Sequence, residues 1–454
     1  MTTSRNRALQ HAIAQCGASY DALARDIRQI AAENGTPGSR TNKSLIAHWV
    51  AGARPMPATA RYLAEALARR LGRPVSLAEI GLASDETETV DTAVSADPVA
   101  AITALGRADV DRRTLLGKTA VYSLGALLLP LTGPEPAARA ATVRSKASAT
   151  IGEADVDAVR SVIAAFNAAD EKLGGGHGRS AVVEYLATDV AAYLRARFAS
   201  DTVRNAMFGV AAQLAYLAGW KAHDLGMTGL AQRYYLHATD LAGESDPAQV
   251  AYCLRILAHQ AMDLGHHEHC VDLADAALQR TTGRVDPDTE SLFWLTAARA
   301  HATAGSPRPA RATLRRAERV LARSRSDQAP AWVSLGGPAQ ARLTTQTGKT
   351  LRALGDLPAA EEQFVHAARC WDPTTHPRIH ALTLAELAEV QCQRGIIEAA
   401  CQTWNRALDI MGGIRSARTR EAVTTLRGHL APYRRRGPSA VHRLDARAAA
   451  FLHP

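Results

Sequence analysis

Apolar positions along this chain fall at helical spacing, and between residues 212 and 410 they settle into a repeating frame. Each copy opens with about fourteen residues patterned for a helix and then reaches a glycine. A small residue follows after five positions, a large or apolar one after nine and an alanine after twelve. The first copy carries Gly226, Ala231, Tyr235 and Ala238, and the second Gly265, Cys270, Ala274 and Ala277. The third has Gly305, Ala310, Leu314 and Ala317, and the fourth Gly355, Ala360, Phe364 and Ala367. The fifth has Gly395, Ala400, Trp404 and Ala407. Position eight of the first helix is also small in every copy: Gly219, Ala258, Ala298, Gly348 and Ala388. Helices cross closely only where Gly or Ala leaves room and a large residue fills the next gap, so the frame predicts helical hairpins stacked in series.

The anchor glycines are 39, 40, 50 and 40 residues apart. The frame resembles the tetratricopeptide repeat (TPR), a helix–turn–helix unit of about 34 residues. The longer spacing predicts extra loop residues between units. The resemblance implies an α-solenoid whose first helices line a concave surface. Candidate groove residues are then Tyr216, Trp220 and His223, followed by Tyr252, Arg255 and His259, then Arg299, and finally Lys349 and Arg352. Early aromatics and later cations suit an extended peptide with an acidic end. Peptide-sensing regulators of this layout hold the peptide backbone with asparagines, but residues 211–410 contain only Asn405. A small molecule, a partner protein or no ligand at all stay open.

Ahead of the repeats, residues 1–83 read as a small helical domain. Helices are predicted over Asn6–Cys16, Ser19–Ala32, Asn42–Ala51 and 58–71, with a fifth short one within GRPVSLAEIGL at 72–82. Ser19 and Thr41 are the expected N-caps, and Ser76 with Glu79 forms a capping-box pattern. Leu45, Ile46, Trp49 and Val50 are expected to point inward. Short helices with a polar first turn on the third describe a helix-turn-helix module. The domain resembles those of phage-repressor-like (XRE-type) regulators. Through HWVAGARPMP, ALARRLGRPVSLAEIGL and FNAADEKLGGGHGR, the chain is more closely similar to helix-turn-helix plus TPR regulators of actinomycetes.

That resemblance implies double-stranded DNA as partner. Asn42, Lys43, Ser44 and His48 would face base edges, Thr41 would lie at the helix start, and Arg25, Arg40 and Arg54 would reach phosphates. The segment 33–40 is longer than the usual turn of about three to four residues. Either helix two runs on past Ala32, or the loop itself touches the DNA backbone.

Residues 84–98 carry five acids and no base and read as a tether. An apolar helix is expected at about 112–131, docked on the array or against a second protomer, within a linker spanning 84–150. Arg112-Arg113 before the twelve-residue run 120–131 imitates a twin-arginine export signal, but it lies far from the N-terminus and is too short to span a bilayer. The repeat domain is placed at 151–430 and a basic tail at 431–454. GGGHG at 174–178 is read as a turn; it lacks the Lys-Ser/Thr ending of a phosphate-binding loop.

Composition agrees with this outline. The 454 residues are 47% hydrophobic but only 5% aromatic, so Ala, Leu and Val fill the core of thin helices. Net charge is +9, and residues 1–80 hold eleven Lys/Arg against five Asp/Glu. A basic helical head fits nucleic acid, although a solvated helix face has the same composition. Arg308 to Arg325 and Arg434–Arg436 form two further basic blocks. Six scattered cysteines without a CxxC pair point to a reduced, cytoplasmic protein.

His266-His267-Glu268-His269-Cys270 sits at a hairpin turn, where adjacent side chains diverge, so no metal is expected. No nucleophile–base constellation is present and no cofactor is expected; the chain reads as a non-enzyme. The expectation is an all-α protein: a helix-turn-helix domain followed by a TPR-like α-solenoid, acting as a homodimeric transcriptional regulator without membrane contact. A TPR scaffold that binds only proteins is the alternative, and an exported TPR protein a third.

Overall fold

The computed structural model describes residues 5–34, 36, 38–83, 97–110, 121–132, 150–325, 329–433 and 438–453. Among them the chain is helical nearly throughout. One two-residue parallel pairing of Thr150–Ile151 with Arg197–Phe198 is the sheet content, and no strand occurs among the described residues of 212–410. The chain divides into two compact units. Residues 1–156, 180–223 and 227–246 form the first; 157–179, 224–226 and 247–454 form the second.

The first unit begins with four helices: α1 (Arg7–Gln15), α2 (Tyr20–Glu33), α3 (Lys43–Val50) and α4 (Pro57–Leu71). Leu9, Leu23, Ile27, Ile30, Ile46, Leu63, Leu67 and Ile80 are fully buried at their centre. Ser19 caps α2 by accepting from the Ala22 N–H at 3.2 Å. Asn42, not Thr41, caps α3, accepting from the Leu45 N–H at 3.0 Å. A residue earlier in the chain was expected because Thr and Asn are both good caps, each worth about 1 kcal/mol.

Three further details depart from expectation. Leu45 is 40% exposed, while Ile46, Trp49 and Val50 face the core. An eight-residue helix has one buried stripe, and Leu45 falls beside it. The fifth helix is absent: 77–81 forms a turn, with Val75, Leu77, Ile80 and Leu82 still buried. Ser76 caps that turn through the Glu79 N–H at 3.1 Å, but the Glu79 carboxylate pairs with Arg73 at 2.6 Å instead of closing a box. The segment after α2 also resolves one alternative. Asn34 ends the helix, and Thr36 N–H returns to Ala31 O at 2.7 Å.

A helix unanticipated from sequence, α5 (Pro98–Val110), follows the acidic stretch. Gly106 packs so close to the 179–194 segment that a Cβ there would lie 2.8 Å from Ala187 Cβ. The twin arginines and the first half of the expected apolar helix lie outside the described residues. Within 121–132 the chain forms a short turn, Gly125–Leu128, and a helical turn, Leu129–Thr132, in place of one continuous helix. The glycine and Pro130 interrupt it.

Five helical hairpins follow the expected frame. Their helices are Asp201–Asp224 with Thr228–Gly243, Pro247–Asp263 with His267–Thr281, and Pro287–Thr303 with Pro307–Leu321. Ala339–Ala353 pairs with Leu357–Cys370, and Pro377–Gln393 with Ile397–Met411. The anchor glycines end the first helices in left-handed conformations, for example Gly265 at φ 79° and Gly395 at φ 78°, which a side chain would strain. Hairpin 1 belongs mostly to the first unit and hairpins 2 to 5 to the second. The 50-residue spacing contains a short helix, Ala331–Ser334, in its loop. After Ala417–Leu430 the chain forms another helix, Ser439–Leu452, where a tail was expected; Val441, Leu444 and Ala448 are buried against the last hairpin's core. Arg434–Arg436 lie outside the described residues. No helix among those described is long and apolar enough to cross a membrane.

Candidate functional site

Two polar surfaces stand out, one in each unit. On the first, α3 turns Asn42, Lys43, Ser44, Ala47 and His48 outward, and Arg25, Arg40 and Arg54 are exposed on the same domain. Thr41 is not among them. It is buried, its hydroxyl 3.1 Å from Ser39 Oγ and its carbonyl accepting from Arg28 at 2.5 Å. Asn42 has its side-chain oxygen committed to the helix cap, so only its amide NH2 is left to donate outward. Lys43 lies 4.0 Å from Asp21 with both side chains 70% exposed, a pairing that solvent screens and another anion can displace.

The second surface is a row of charge across hairpins 2 to 5. His259, Arg299, Lys349 and Glu389 occupy the same frame position, six residues before the anchor glycines Gly265, Gly305, Gly355 and Gly395. Repeat stacking therefore sets them side by side. Arg299 donates to His259 Nδ1 at 3.0 Å and to Asp263 at 2.6 Å. A guanidinium can only donate, so Nδ1 is the unprotonated nitrogen and the ring proton sits on Nε2, 3.4 Å from the Thr296 hydroxyl. Burial, then Arg255 and Arg299, push the His259 pKa well below its ordinary value. The imidazole is neutral.

Further along the row, Lys349 meets Glu386 at 2.9 Å, and Arg352 meets Glu386 at 2.6 Å and Glu389 at 2.9 Å. Burial lowers the Lys349 pKa. Burial alone would raise that of Glu386, but Lys349 and Arg352 overcome it and hold the carboxyl at about 2. Glu389 goes the other way, to about 7, through burial and the neighbouring Glu386 charge.

Of the groove candidates, then, Arg255, His259, Arg299, Lys349 and Arg352 come together. Tyr252 packs edge-on against Trp332, centroids 5.0 Å apart, with the Arg255 guanidinium 5.1 Å from its ring. Tyr216, Trp220 and His223 lie in the first unit, half-buried. Tyr216 packs 5.6 Å from Tyr235 on its own hairpin, and Trp220 lies 5.7 Å from His223. Asp263, Glu386 and Glu389 were missed, although Glu389 falls on the frame position of the other three.

The GGGHG turn is used internally. Gly175 N–H donates to Asp224 at 2.8 Å and Gly176 N–H to Arg415 O at 3.3 Å, so these donors are not arrayed for a phosphate. Burial raises the Cys270 thiol to about 11, its Sγ donating to His267 O at 3.0 Å. Among the described residues no three His, Cys, Asp or Glu side chains converge as metal ligands.

Residues 9–83 match the family model of the SP15 N-terminal domain. The match covers the four-helix head and the turn after it. No curated protein and no solved structure matches the chain.

Proposed function

We propose that the chain is a DNA-binding transcriptional regulator with an XRE-like helix-turn-helix head. On this reading its TPR-like array binds a peptide, small molecule or protein partner and joins two copies in a homodimer. The observation that carries it is the outward face of α3. Lys43, Ser44 and His48 project from a short helix anchored by Ile46, Trp49 and Val50, with exposed arginines around it. Such a helix fits the major groove: Lys and His donate to guanine edges, Asn42 donates through its free amide, and the arginines take phosphates. A pair of heads is the arrangement that reads two half-sites.

Selection of binding sites from random duplexes with the full-length protein tests this. A recovered motif whose affinity falls about 10-fold or more in K43A/S44A supports it, as does a steep salt dependence. Enrichment of no sequence overturns it. A second reading, a scaffold whose head binds protein, is favoured by Leu45 at 40% and Met56 at 75% exposure, two large apolar side chains on this head. Salt-insensitive capture of a protein partner by the head, lost in L45S/M56S, would favour that reading.

A further inference from the structure

Arg255 is the one cation of the charged row with no carboxylate beside it in the network described above. Its Nε and Nη1 are buried and have no hydrogen-bond partner among the described residues. A guanidinium is a fork of N–H donors with no acceptor of its own, so each buried donor needs an oxygen or nitrogen from outside. Lying over Tyr252, it keeps its N–H edge available, since a ring face offers charge attraction but does not satisfy in-plane donors. His259 offers no compensation either: it is neutral, and its only bare nitrogen is taken by Arg299.

The imbalance extends beyond one side chain. Arg255, Arg299 and Lys349 all lie near enough to His259 to depress its proton affinity. Opposite them stand Asp263, bound to Arg299, and Glu386, which Lys349 shares with Arg352. Three cations thus face Asp263 and a share of Glu386. The Arg299 and Lys349 side chains are only 15% and 18% exposed, so a compact group can reach them while the backbone of a duplex cannot. Two guanidinium forks and an ammonium, on consecutive hairpins, match a planar or tetrahedral oxyanion.

We infer that Arg255, Arg299 and Lys349 form a binding site for the oxyanion group, carboxylate or phosphate, of a small organic acid. The inference rests on reading the second unit as the ligand-sensing part. Its occupant takes the free Arg255 edge and bridges to Arg299 and Lys349, tying hairpins 2, 3 and 4 together.

Calorimetric titration of the full-length protein, without DNA and at fixed ionic strength, tests this with citrate and pyrophosphate as probes. Saturable binding of either is expected, the tighter probe distinguishing a carboxylate from a phosphate occupant. R255Q should weaken it about 10-fold or more, the loss of a charge-assisted contact. R315Q, removing an exposed arginine, should leave it unchanged. If R255Q does not fold, R255K serves: it keeps the charge, loses the fork, and should still bind several-fold more weakly. No saturable binding, equal binding by R255Q or R255K, or equal loss in R315Q overturns the site. So does binding of an acidic peptide alone. A protein that selects a DNA motif yet binds neither probe refutes this inference and leaves the DNA reading standing.

Discussion

Arg378 and Asp170, 208 residues apart in the chain, meet at 2.6 Å with both side chains fully buried. The same guanidinium reaches Glu171 at 2.9 Å and Asp224 at 3.1 Å. Asp224 in turn accepts from the Gly175 N–H and the Ser416 hydroxyl, each at 2.8 Å. Burial opposes the charge on Arg378, but Glu171, Asp170 and Asp224 outweigh it and raise its pKa further. Within the second unit this cluster fastens the GGGHG turn and the start of the Pro377–Gln393 helix to one another.

Arg378→Met should therefore cost about 3–5 kcal/mol, because three buried carboxylates lose their counter-charge. Arg378→Lys should recover little, since one ammonium cannot serve three carboxylates in different directions. Urea denaturation followed by circular dichroism measures both. A loss below about 1 kcal/mol for the methionine variant would mean that solvent reaches the cluster and replaces the arginine.

The small residues of the frame make a graded prediction. A Cβ at Gly219 would lie 2.7 Å from the ring of Tyr235, which is fully buried, whereas one at Gly348 would lie 3.0 Å from Phe364. Ala gains about 1 kcal/mol over Gly in a helix interior, while overpacking costs about 1–3 kcal/mol. Gly219→Ala should destabilise, and Gly348→Ala should fall within about 1 kcal/mol of neutral. Thermal melts of the two variants check the order; the reverse order would show that the crossing is looser at hairpin 1.

The hairpins were legible because close helix crossing admits only Gly or Ala at fixed positions, which leaves a periodic trace. The α3 face was legible in outline for a similar reason: Ile46, Trp49 and Val50 mark its buried side. Thr41 was misplaced because a cap one residue along rotates no core residue and so changes no pattern, and Leu45 because an apolar residue beside a short helix's buried stripe reads like one within it. The Arg378 cluster left no trace of this kind. Its partners come from three distant segments, and Asp170-Glu171 in FNAADEKLGGGHGR looks like any polar helix end. At the carboxylate end of the charged row, Glu389 shares the frame position of His259, Arg299 and Lys349. Glu386 lies three residues earlier, off that position, and only the folded hairpins bring it to Lys349 and Arg352.

Glu389 gives stability a pH dependence of known sign. Its folded pKa, about 7, lies above the ordinary value of 4.5, so the folded state holds the proton more tightly. Its contribution is fully present below about pH 4.5 and is lost as pH rises through 7. Glu389→Gln removes that titration. Its stability relative to wild type should therefore rise between pH 5 and 8, read as the difference in urea midpoint at each pH. A constant difference across that range would show that Arg352 keeps Glu389 ionised throughout.

Ser123 offers the last test, inside the first unit. Gln232 holds its backbone from both sides: the Ser123 N–H donates to Gln232 Oε1 at 2.7 Å, and Gln232 Nε2 donates to Ser123 O at 2.6 Å. The neighbouring amides are also held, Tyr122 N–H by Asn34 at 3.2 Å and Leu124 N–H by Glu65 at 2.9 Å. Three residues of chain thus link the head to hairpin 1 through side-chain acceptors. Gln232→Leu keeps the bulk but leaves a half-buried N–H and C=O unmet, a penalty of about 1–3 kcal/mol for each group that water does not reach. Because the contact is local, the strap should open without the head unfolding. Hydrogen exchange should quicken at Ser123 and Leu124 while amides around Ile27 and Ile46 stay protected. Equal loss of protection at both places would mean that the head depends on the strap for its own stability.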